Sequence, residues 1–373
     1  MSGGAHVVGI GATPFGRHSD TPLVELGQQA AHAALADAGV HYADIGEVFA
    51  SSSMAPPQTG IALAHRLGRT GAPVTTVESA SAGGLVALRH AIEAVRSGRC
   101  ERALAVGVEK LTALEPGGVV PRPTSFWDRC PPQVHYAVEA TRWLHDHGAG
   151  ADVLAAVAAK DWNLAAANPL AARRTDHEVT KEEVLASRPV ATPLTRMMCH
   201  TASDGAAAVV VGATGRDGSV EVRSIAQTSM IDDPTWPTSG PVIGSPAQAA
   251  LTGRQAFQSA GMDPSEVHVV SLHDMCASEE LTTLVSLGLV ADDQIVDLVN
   301  SGGLLPGGAM PTNVDGGCIA RGHPIGATGL AQTGEIVRQL RGDAGSRQVP
   351  GARRGLVHGA GGGGSCVVAL LGR

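Results

Sequence analysis

The chain has 373 residues, 43% of them hydrophobic, which is enough to bury the core of one large or two medium-sized domains. Its net charge is −8 and it has no basic tract, so we expect neither a nucleic acid nor an anionic membrane as partner. No apolar run approaches the length of a membrane span and the N-terminal residues lack a secretory-signal pattern, which makes a cytoplasmic protein the simplest interpretation.

The six cysteines are scattered along the chain, and none forms a C-x-x-C pair. This distribution argues against a disulfide framework and against a structural zinc site. We therefore expect most of the thiols to be reduced and buried, and we expect no metal.

The first feature of chemical interest along the chain is Ser81. A β-rich run at 74–77 turns sharply into a helix predicted over 85–96, and Ser81 lies in the turn between them. Unpaired backbone N–H groups and the helix dipole favour developing negative charge at such a place. The position suits a nucleophile, although serine near a helix start commonly only caps the helix.

A long segment of about 112–202 follows the next strand and has no counterpart later in the chain. Helices are predicted there around 134–147 and 153–167. Long insertions in compact domains are often functional, so we predict that this one shapes the substrate site. A helical cap that only packs on the core is the alternative.

An internal repeat organises the rest of the sequence. Units of helix, glycine stop, turn and strand recur in the same order, which predicts two similar α/β halves with sheets buried on both faces. We place the halves at 1–215 and 216–373, with the boundary at a polar turn. The matched segments are 34–48 with 256–270, 82–96 with 327–341, and 205–211 with 364–370.

Two polar residues, His273 and Asp274, follow the predicted strand at 267–270. His273 is placed to orient a water molecule or to donate a hydrogen bond to an oxyanion, with Asp274 behind it as a supporting partner. Cys276 is a weaker candidate, because side chains close together in sequence diverge on either a strand or a helix.

Two glycine-rich turns lie further along the chain. The segment 322–329, Gly-His-Pro-Ile-Gly-Ala-Thr-Gly, leads into a helix and supplies His323 as a base. The segment 357–364, Val-His-Gly-Ala followed by four glycines, contains His358 and Gly361. We predict that the backbone N–H groups of Gly361 and Ser81 form an oxyanion hole. His358 is adjacent, although a histidine that ends a strand is more often only packed or hydrogen-bonded.

These motifs resemble those of the thiolase superfamily, nearest to the sterol-carrier-protein type of thiolase. Residues 322–329 match the G-H-P-x-G-A-[ST]-G signature, and His273 begins a match to H-D-C-F. The resemblance places the nucleophilic cysteine of the family at Ser81. It places the acid–base cysteine of H-D-C-F at Met275 and the second cysteine of degradative and biosynthetic thiolases at Gly359.

The resemblance implies a five-layered αβαβα fold in which two central helices start at the active site. It also implies that the insertion is a loop domain covering a substrate tunnel, and that the protein is a homodimer. The implied substrate is an acyl-CoA or acyl-carrier-protein thioester, with no permanently bound cofactor.

Our first hypothesis for function is an atypical thiolase-like acyltransferase, in which Ser81 takes the acyl group and His323 assists proton transfer. The second is a carbon–carbon bond enzyme of the retro-aldol or Claisen type that works with a small zinc-ribbon/OB-fold partner. The third is a catalytically silent subunit that scaffolds an active paralogue, against which the presence of His273 and His323 weighs.

Overall fold

The computed structural model describes residues 4–112, 132–233, 245–362 and 364–373. The strands are β1 (His6–Ala12), β2 (Glu47–Ser51), β3 (Val74–Val77), β4 (Arg102–Lys110), β5 (Pro189–Ala191), β6 (Leu194–Thr195), β7 (Asp204–Gly212), β8 (Val220–Thr228), β9 (Val269–Ser271), β10 (Arg354–Gly361) and β11 (Ser365–Gly372). Nine of them form one mixed sheet in the order β3-β2-β4-β7-β1-β8-β11-β10-β9, and β5 pairs with β6.

Followed outward from the centre, the first four strands of one half of the large sheet correspond in order to the four strands of the other half, and β3 is an additional edge strand. The first runs β1, β7, β4, β2 and β3, and the second runs β8, β11, β10 and β9. The directions also agree, because β2/β4 and β9/β10 are parallel whereas β4/β7 and β10/β11 are antiparallel. The repeat that is visible in the sequence is therefore also a repeat of structure.

The helices sandwich these two half-sheets. They are α1 (Leu23–Ala38), α2 (Thr59–Leu67), α3 (Gly83–Arg96), α4 (Pro132–Asp146), α5 (Ala151–Ala166), α6 (Lys181–Ala186), α7 (Pro246–Ala260), α8 (Ala277–Ser286), α9 (Ile295–Asn300) and α10 (Thr328–Arg341). Helices α1 and α2 cover the first half-sheet, α3 and α10 pack together between the halves, and α7 with α8 lies beyond the second. This is the expected five-layered αβαβα thiolase fold.

Side chains that point alternately to the two faces of each strand form the cores between these layers. Val209 belongs to the central core around α3 and α10, whereas its neighbour Val210 belongs to the core under α1. In the second half, Val367 faces the central core and Val368 faces the core under α7. Successive strand residues point to opposite faces, so a strand buried on both faces is apolar along its interior, as β7 and β11 are after their first residues, Asp204 and Ser365.

The first helix of each half ends by the same local rule. Helix α1 stops at Gly39 with φ 66°, and α7 stops at Gly261 with φ 61°. Both values lie in the left-handed region that glycine adopts without a Cβ penalty. The helix and glycine-stop units predicted from the sequence are confirmed, as are the two central helices.

The insertion contains the predicted helices as α4 and α5, together with α6 and the β5/β6 hairpin. Its residues 113–131, including Cys130, lie outside the described part of the chain. Of the helices that are described, none is both long and apolar enough to cross a bilayer.

Candidate active site

Ser81 lies in a single 3₁₀ turn, 80–82, that connects β3 to α3. The preceding residue, Ala80, has φ 44°, a left-handed conformation that costs a non-glycine residue about 1–2 kcal/mol. Glu78 stabilises this conformation, because its Oε1 accepts a 2.8 Å hydrogen bond from the Ala80 N–H. The sharp turn places a buried hydroxyl at the start of a central helix.

His323 comes to the same place from the second half. Its backbone N–H donates to the Thr201 carbonyl at 2.8 Å, and the chain then turns into α10. The Ser81 Oγ and the His323 Nε2 are 2.9 Å apart. This distance confirms the hydrogen-bond reach between the two residues that the sequence predicted.

The hydrogen bonds of the Thr328 hydroxyl indicate which ring nitrogen of His323 carries the proton. Thr328 Oγ1 donates its one proton to the Pro324 carbonyl at 3.1 Å and lies 2.9 Å from His323 Nδ1. With its proton on that carbonyl, it is assigned as the acceptor of a hydrogen bond from an Nδ1–H. In the neutral ring Nε2 then carries the lone pair, and the Ser81 hydroxyl donates to it.

Burial keeps this imidazole neutral. It lowers the pKa of His323 well below the usual value, and His273, His200 and Arg321 lower it further by charge repulsion. The His273 and His200 rings stand edge-on to His323, with centroids 5.2 Å and 5.6 Å away. The hydroxyl of Ser81 therefore faces an unprotonated nitrogen at neutral pH.

The hydrogen-bond partner of His273 is Glu279, which sequence reasoning missed. The His273 Nδ1 lies 3.2 Å from Glu279 Oε1, and Glu279 Oε2 accepts a 2.6 Å bond from the Met275 N–H. Among the described residues, the buried Nε2 of His273 has no hydrogen-bond partner. Glu279 stands three residues after the N-cap Cys276, where a carboxylate commonly reaches back over a helix start, and this was the available signal.

Asp274 bonds to the segment before His323 and not to His273, the partner that was predicted from the sequence. Its carboxylate accepts hydrogen bonds from the backbone N–H groups of Cys318 at 2.8 Å and Ile319 at 3.4 Å. Burial, and then the charge of Glu280, raise the pKa of Asp274 well above its usual value. The residue therefore ties the segment that carries His273 to the turn that precedes His323.

Cys276 is a poor nucleophile in this setting. Burial raises the pKa of its thiol well above the usual value, with a further contribution from Glu279. Its Sγ lies 3.2 Å from the Ser278 hydroxyl. The thiol therefore remains protonated at neutral pH.

The last glycine-rich turn packs directly against the turn of Ser81. A Cβ placed on Gly361 would lie 2.4 Å from the Ser79 carbonyl oxygen and 3.2 Å from the Ala82 nitrogen. A Cβ placed on Gly359 would lie 2.8 Å from Leu85 Cδ1. Both glycines therefore permit a close approach of β10 to the start of α3, which brings the backbone of Gly361 beside Ser81.

His358 lies behind this turn, and its carbonyl accepts a 3.0 Å bond from the His273 N–H. Burial, and then the charge of His273, lower the pKa of His358 to about 3. Its ring borders a cavity shared with Glu139, Glu279 and the hydroxyl of Ser278. Burial, and then Glu279, raise the pKa of Glu139 to about 8, so this carboxyl stays protonated at neutral pH.

Sequence and structure comparisons agree with this geometry. Residues 5–214 match the family "Thiolase, N-terminal domain", and residues 242–373 match "Thiolase C-terminal domain-like". The chain is 34% identical to acetyl-CoA acetyltransferase of Methanothermobacter thermautotrophicus, over 98% of this chain and 99% of that protein. It is 33% identical to sterol carrier protein 2 of Rattus norvegicus, over 98% of this chain and 71% of that protein.

Among solved structures, the Ltp2-ChsH2(DUF35) aldolase superposes with a TM-score of 0.84 at 26% identity, covering 99% of this chain and 97% of that chain. The two domain matches and the identity across almost the whole length show that this chain belongs to the thiolase family.

Proposed function

We propose that the protein is an atypical thiolase-like acyltransferase, in which Ser81 takes an acyl group from an acyl-CoA or carrier-protein thioester. The observation that supports this best is the 2.9 Å contact between the Ser81 hydroxyl and the lone pair of His323 Nε2. A hydroxyl has a much higher pKa than a thiol and attacks a thioester only with an adjacent base. His323 supplies such a base, with its other ring nitrogen held by Thr328.

In the first half-reaction, Ser81 Oγ attacks the thioester carbonyl carbon while its proton passes to His323 Nε2. The carbonyl oxygen becomes an oxyanion, which the backbone N–H groups of Ser81 and Gly361 stabilise. The carbon–sulfur bond then breaks, and the leaving thiolate takes the proton from His323. Burial favours proton transfer from His323 to the thiolate, because it lowers the pKa of the imidazolium. In the second half-reaction, an acceptor hydroxyl, amine, thiol or water gives its proton to His323 Nε2 and attacks the carbonyl carbon of the acyl-serine ester. The bond between that carbon and Ser81 Oγ then breaks, and Ser81 Oγ takes the proton back from His323.

The residues at the family's cysteine positions favour an acceptor of this kind over a carbon nucleophile. Carbon–carbon bond formation needs a group that removes a proton from the attacking carbon, and neither Met275 nor Gly359 can do so. An acyl-serine ester is also less electrophilic than a thioester. Transfer to oxygen, nitrogen or sulfur, or hydrolysis, is therefore more favourable here than Claisen condensation.

A thioester as substrate agrees with the acetyl-CoA acetyltransferase among the relatives. The proposed reaction needs no permanently bound cofactor. Assembly as a homodimer and a cytoplasmic location stay predictions.

The test is mass spectrometry of the protein incubated with acetyl-CoA and with longer acyl-CoA thioesters. We expect an acyl adduct on the peptide that contains Ser81, and loss of both adduct and CoA release in Ser81→Ala. Ser79→Ala, two residues away in the same turn, is the matched control and retains the adduct. An absence of adduct together with undiminished turnover in Ser81→Ala would refute the acyl-serine route.

A second candidate is retro-aldol cleavage of a β-hydroxyacyl thioester together with a zinc-ribbon/OB-fold partner. The likeness to the Ltp2-ChsH2(DUF35) aldolase favours it. In this reaction a histidine takes the proton of the β-hydroxyl, the Cα–Cβ bond breaks, and a carbonyl compound and an enolate form. Ser81 then only shapes the pocket, while the N–H groups near Gly361 hold the enolate oxygen.

Assays with a β-hydroxyacyl-CoA, with and without such a partner, separate the two candidates. Cleavage that survives in Ser81→Ala and leaves no adduct supports the lyase. A chain that releases no CoA alone and gains activity only with an active paralogue supports the silent scaffold instead.

A further inference from the structure

Three buried side chains at the centre of the site form a set that suits a metal ion. One ligand atom each from His273, Cys318 and His323 lies within 4.8 Å of the other two. All three residues are at most 2% exposed. Two imidazoles and a thiolate are the ligands that Zn²⁺ and similar borderline-soft divalent cations prefer.

Both histidines are held in the tautomer that binds a metal. Glu279 lies 3.2 Å from His273 Nδ1, and the Thr328 hydroxyl lies 2.9 Å from His323 Nδ1. Each partner accepts an Nδ1–H, so each neutral ring presents the lone pair of Nε2. A metal-bound histidine is usually oriented in this way, with a carboxylate or another acceptor on its second nitrogen.

The Nε2 of His273 is the independent sign that a ligand belongs here. This nitrogen has no hydrogen-bond partner among the described residues, although the histidine is only 2% exposed. A buried polar atom without a partner normally costs about 1–3 kcal/mol. Coordination to a cation would satisfy it.

Burial, and then the charge of Asp274, raise the pKa of the Cys318 thiol well above its usual value, so the bound cation itself must stabilise the thiolate that coordination requires. Arg321 Nη2 lies 3.8 Å from the Cys318 Sγ, and a guanidinium stabilises a neighbouring negative charge. The same guanidinium is paired with Asp315 at 2.7 Å, which reduces its repulsion of an incoming cation.

We propose that His273, Cys318 and His323 bind one Zn²⁺-like cation per chain, with the Ser81 hydroxyl or a water in the fourth position. On binding, the Cys318 thiol releases its proton to the buffer and no oxidation occurs. Because the cation takes the His323 lone pair, it would also inhibit acyl transfer, a consequence that rests on the proposed function. From the sequence we expected no metal, because the cysteines are scattered without a C-x-x-C pair, whereas the ligands proposed here come from separate segments.

The test is titration of the full-length, metal-free protein with Co²⁺, followed by absorption spectroscopy. We expect visible d–d bands of a tetrahedral ion and a near-ultraviolet thiolate-to-cobalt charge-transfer band, saturating at one equivalent. Cys318→Ser should lose the charge-transfer band, while the matched control Cys100→Ser, whose thiol lies outside the site, keeps it. Added Zn²⁺ should displace the Co²⁺ and abolish both sets of bands.

Circular dichroism establishes that each variant is folded. If Cys318→Ser does not fold, His273→Gln is the deciding variant, because it keeps the thiol but removes a proposed ligand. We expect it to weaken Zn²⁺ binding by at least about 100-fold, the upper end of the cost of changing a residue that only orients a metal ligand. A wild-type protein without the charge-transfer band, or a band that persists in Cys318→Ser, overturns the proposal. These spectroscopic readouts do not depend on turnover, so the metal site can be refuted while the acyltransferase proposal holds, and the reverse.

Discussion

At the scale of single residues, the hydroxyl of Thr328 decides which nitrogen of His323 faces Ser81. It donates to the Pro324 carbonyl and accepts from His323 Nδ1–H. Without this acceptor the ring could place its proton on Nε2, where it would oppose the Ser81 hydroxyl. Under the proposed function, this fully buried hydroxyl therefore controls whether His323 can act as a base.

We predict that Thr328→Val lowers kcat for CoA release by about 100-fold, the lower end of what a positioned base contributes. The valine has nearly the same shape but leaves a buried N–H without an acceptor, which should also cost about 1–3 kcal/mol of stability. Thr328→Ser is the matched control and should stay near wild type, because it keeps the hydroxyl. A Thr328→Val enzyme with wild-type kcat in a thiol-release assay would contradict the assigned tautomer.

The site residues that could be predicted from the sequence are those carried by a motif. Ser81 and His323 were found in this way, and the structure places them 2.9 Å apart. Asp274 was expected to be a supporting partner of His273. Adjacent side chains point in different directions, however, and the partner is Glu279, from the first turn of the next helix. The position of Glu279 three residues after the N-cap Cys276 indicates its bond to the start of α8, but not that its other carboxylate oxygen meets the His273 ring.

At the scale of elements, the sequence signals were stronger. Glycine stops, apolar strands and the closing arginines of α3 and α10 are local features, so the repeated units could be predicted almost to the residue. The distances at which these elements pack against one another could not be predicted from the sequence. Gly107 in β4 shows this, because a Cβ there would lie 2.1 Å from the Gly326 carbonyl oxygen in the turn before α10.

We predict that Gly107→Ala is destabilising by about 1–3 kcal/mol, the usual cost of overpacking a core. The atoms that an added methyl group meets belong to the backbone of Gly326 and Ala327, so no side chain can rotate away. Because the same turn follows His323, kcat should fall as well. Gly16→Ala is the matched control, since a Cβ there meets nothing within 4 Å. Urea unfolding of both variants measures the difference, and equal stabilities would show that β4 and the turn can move apart freely.

The packing of α4 near α8 should make stability depend on pH. The pKa of Glu139 is raised to about 8, whereas an unfolded glutamate titrates near about 4.3. Between these values the folded state holds one more proton than the unfolded state, so the free energy of unfolding falls as pH rises. Glu139→Gln removes this dependence.

We therefore expect Glu139→Gln to gain stability relative to wild type between about pH 5 and about pH 8. Urea unfolding of both proteins across this range provides the measurement, and the exposed Glu178→Gln is the control. If the stability difference between Glu139→Gln and wild type does not change with pH, the carboxyl is not protonated in the folded protein.

At the scale of the whole molecule, the site exists only where the two halves meet. Ser81 starts one central helix, His323 precedes the other, and a single core around α3 and α10 receives side chains from both half-sheets. Glu109, at the end of β4, holds this junction together. Its carboxylate accepts from the N–H of Gly326 at 3.1 Å, and it also binds the N–H groups of Ser53 and Met54.

We predict that Glu109→Gln destabilises the protein by about 2–4 kcal/mol, because buried donors lose their acceptor, and lowers kcat. Four donors converge on the two carboxylate oxygens, which are fully buried, and the fourth is the Ser52 hydroxyl. A glutamine keeps one acceptor oxygen and turns an NH₂ group toward the other donors, and each unpaired buried donor costs about 1–3 kcal/mol. The freed turn at Gly326 should then let His323 drift from Ser81. Glu101→Gln, just before the same strand and 86% exposed, is the control and should unfold like wild type. Calorimetry and CoA-release kinetics on both variants measure the effect; a Glu109→Gln protein that matches the control in both would mean that the halves stay aligned without this carboxylate.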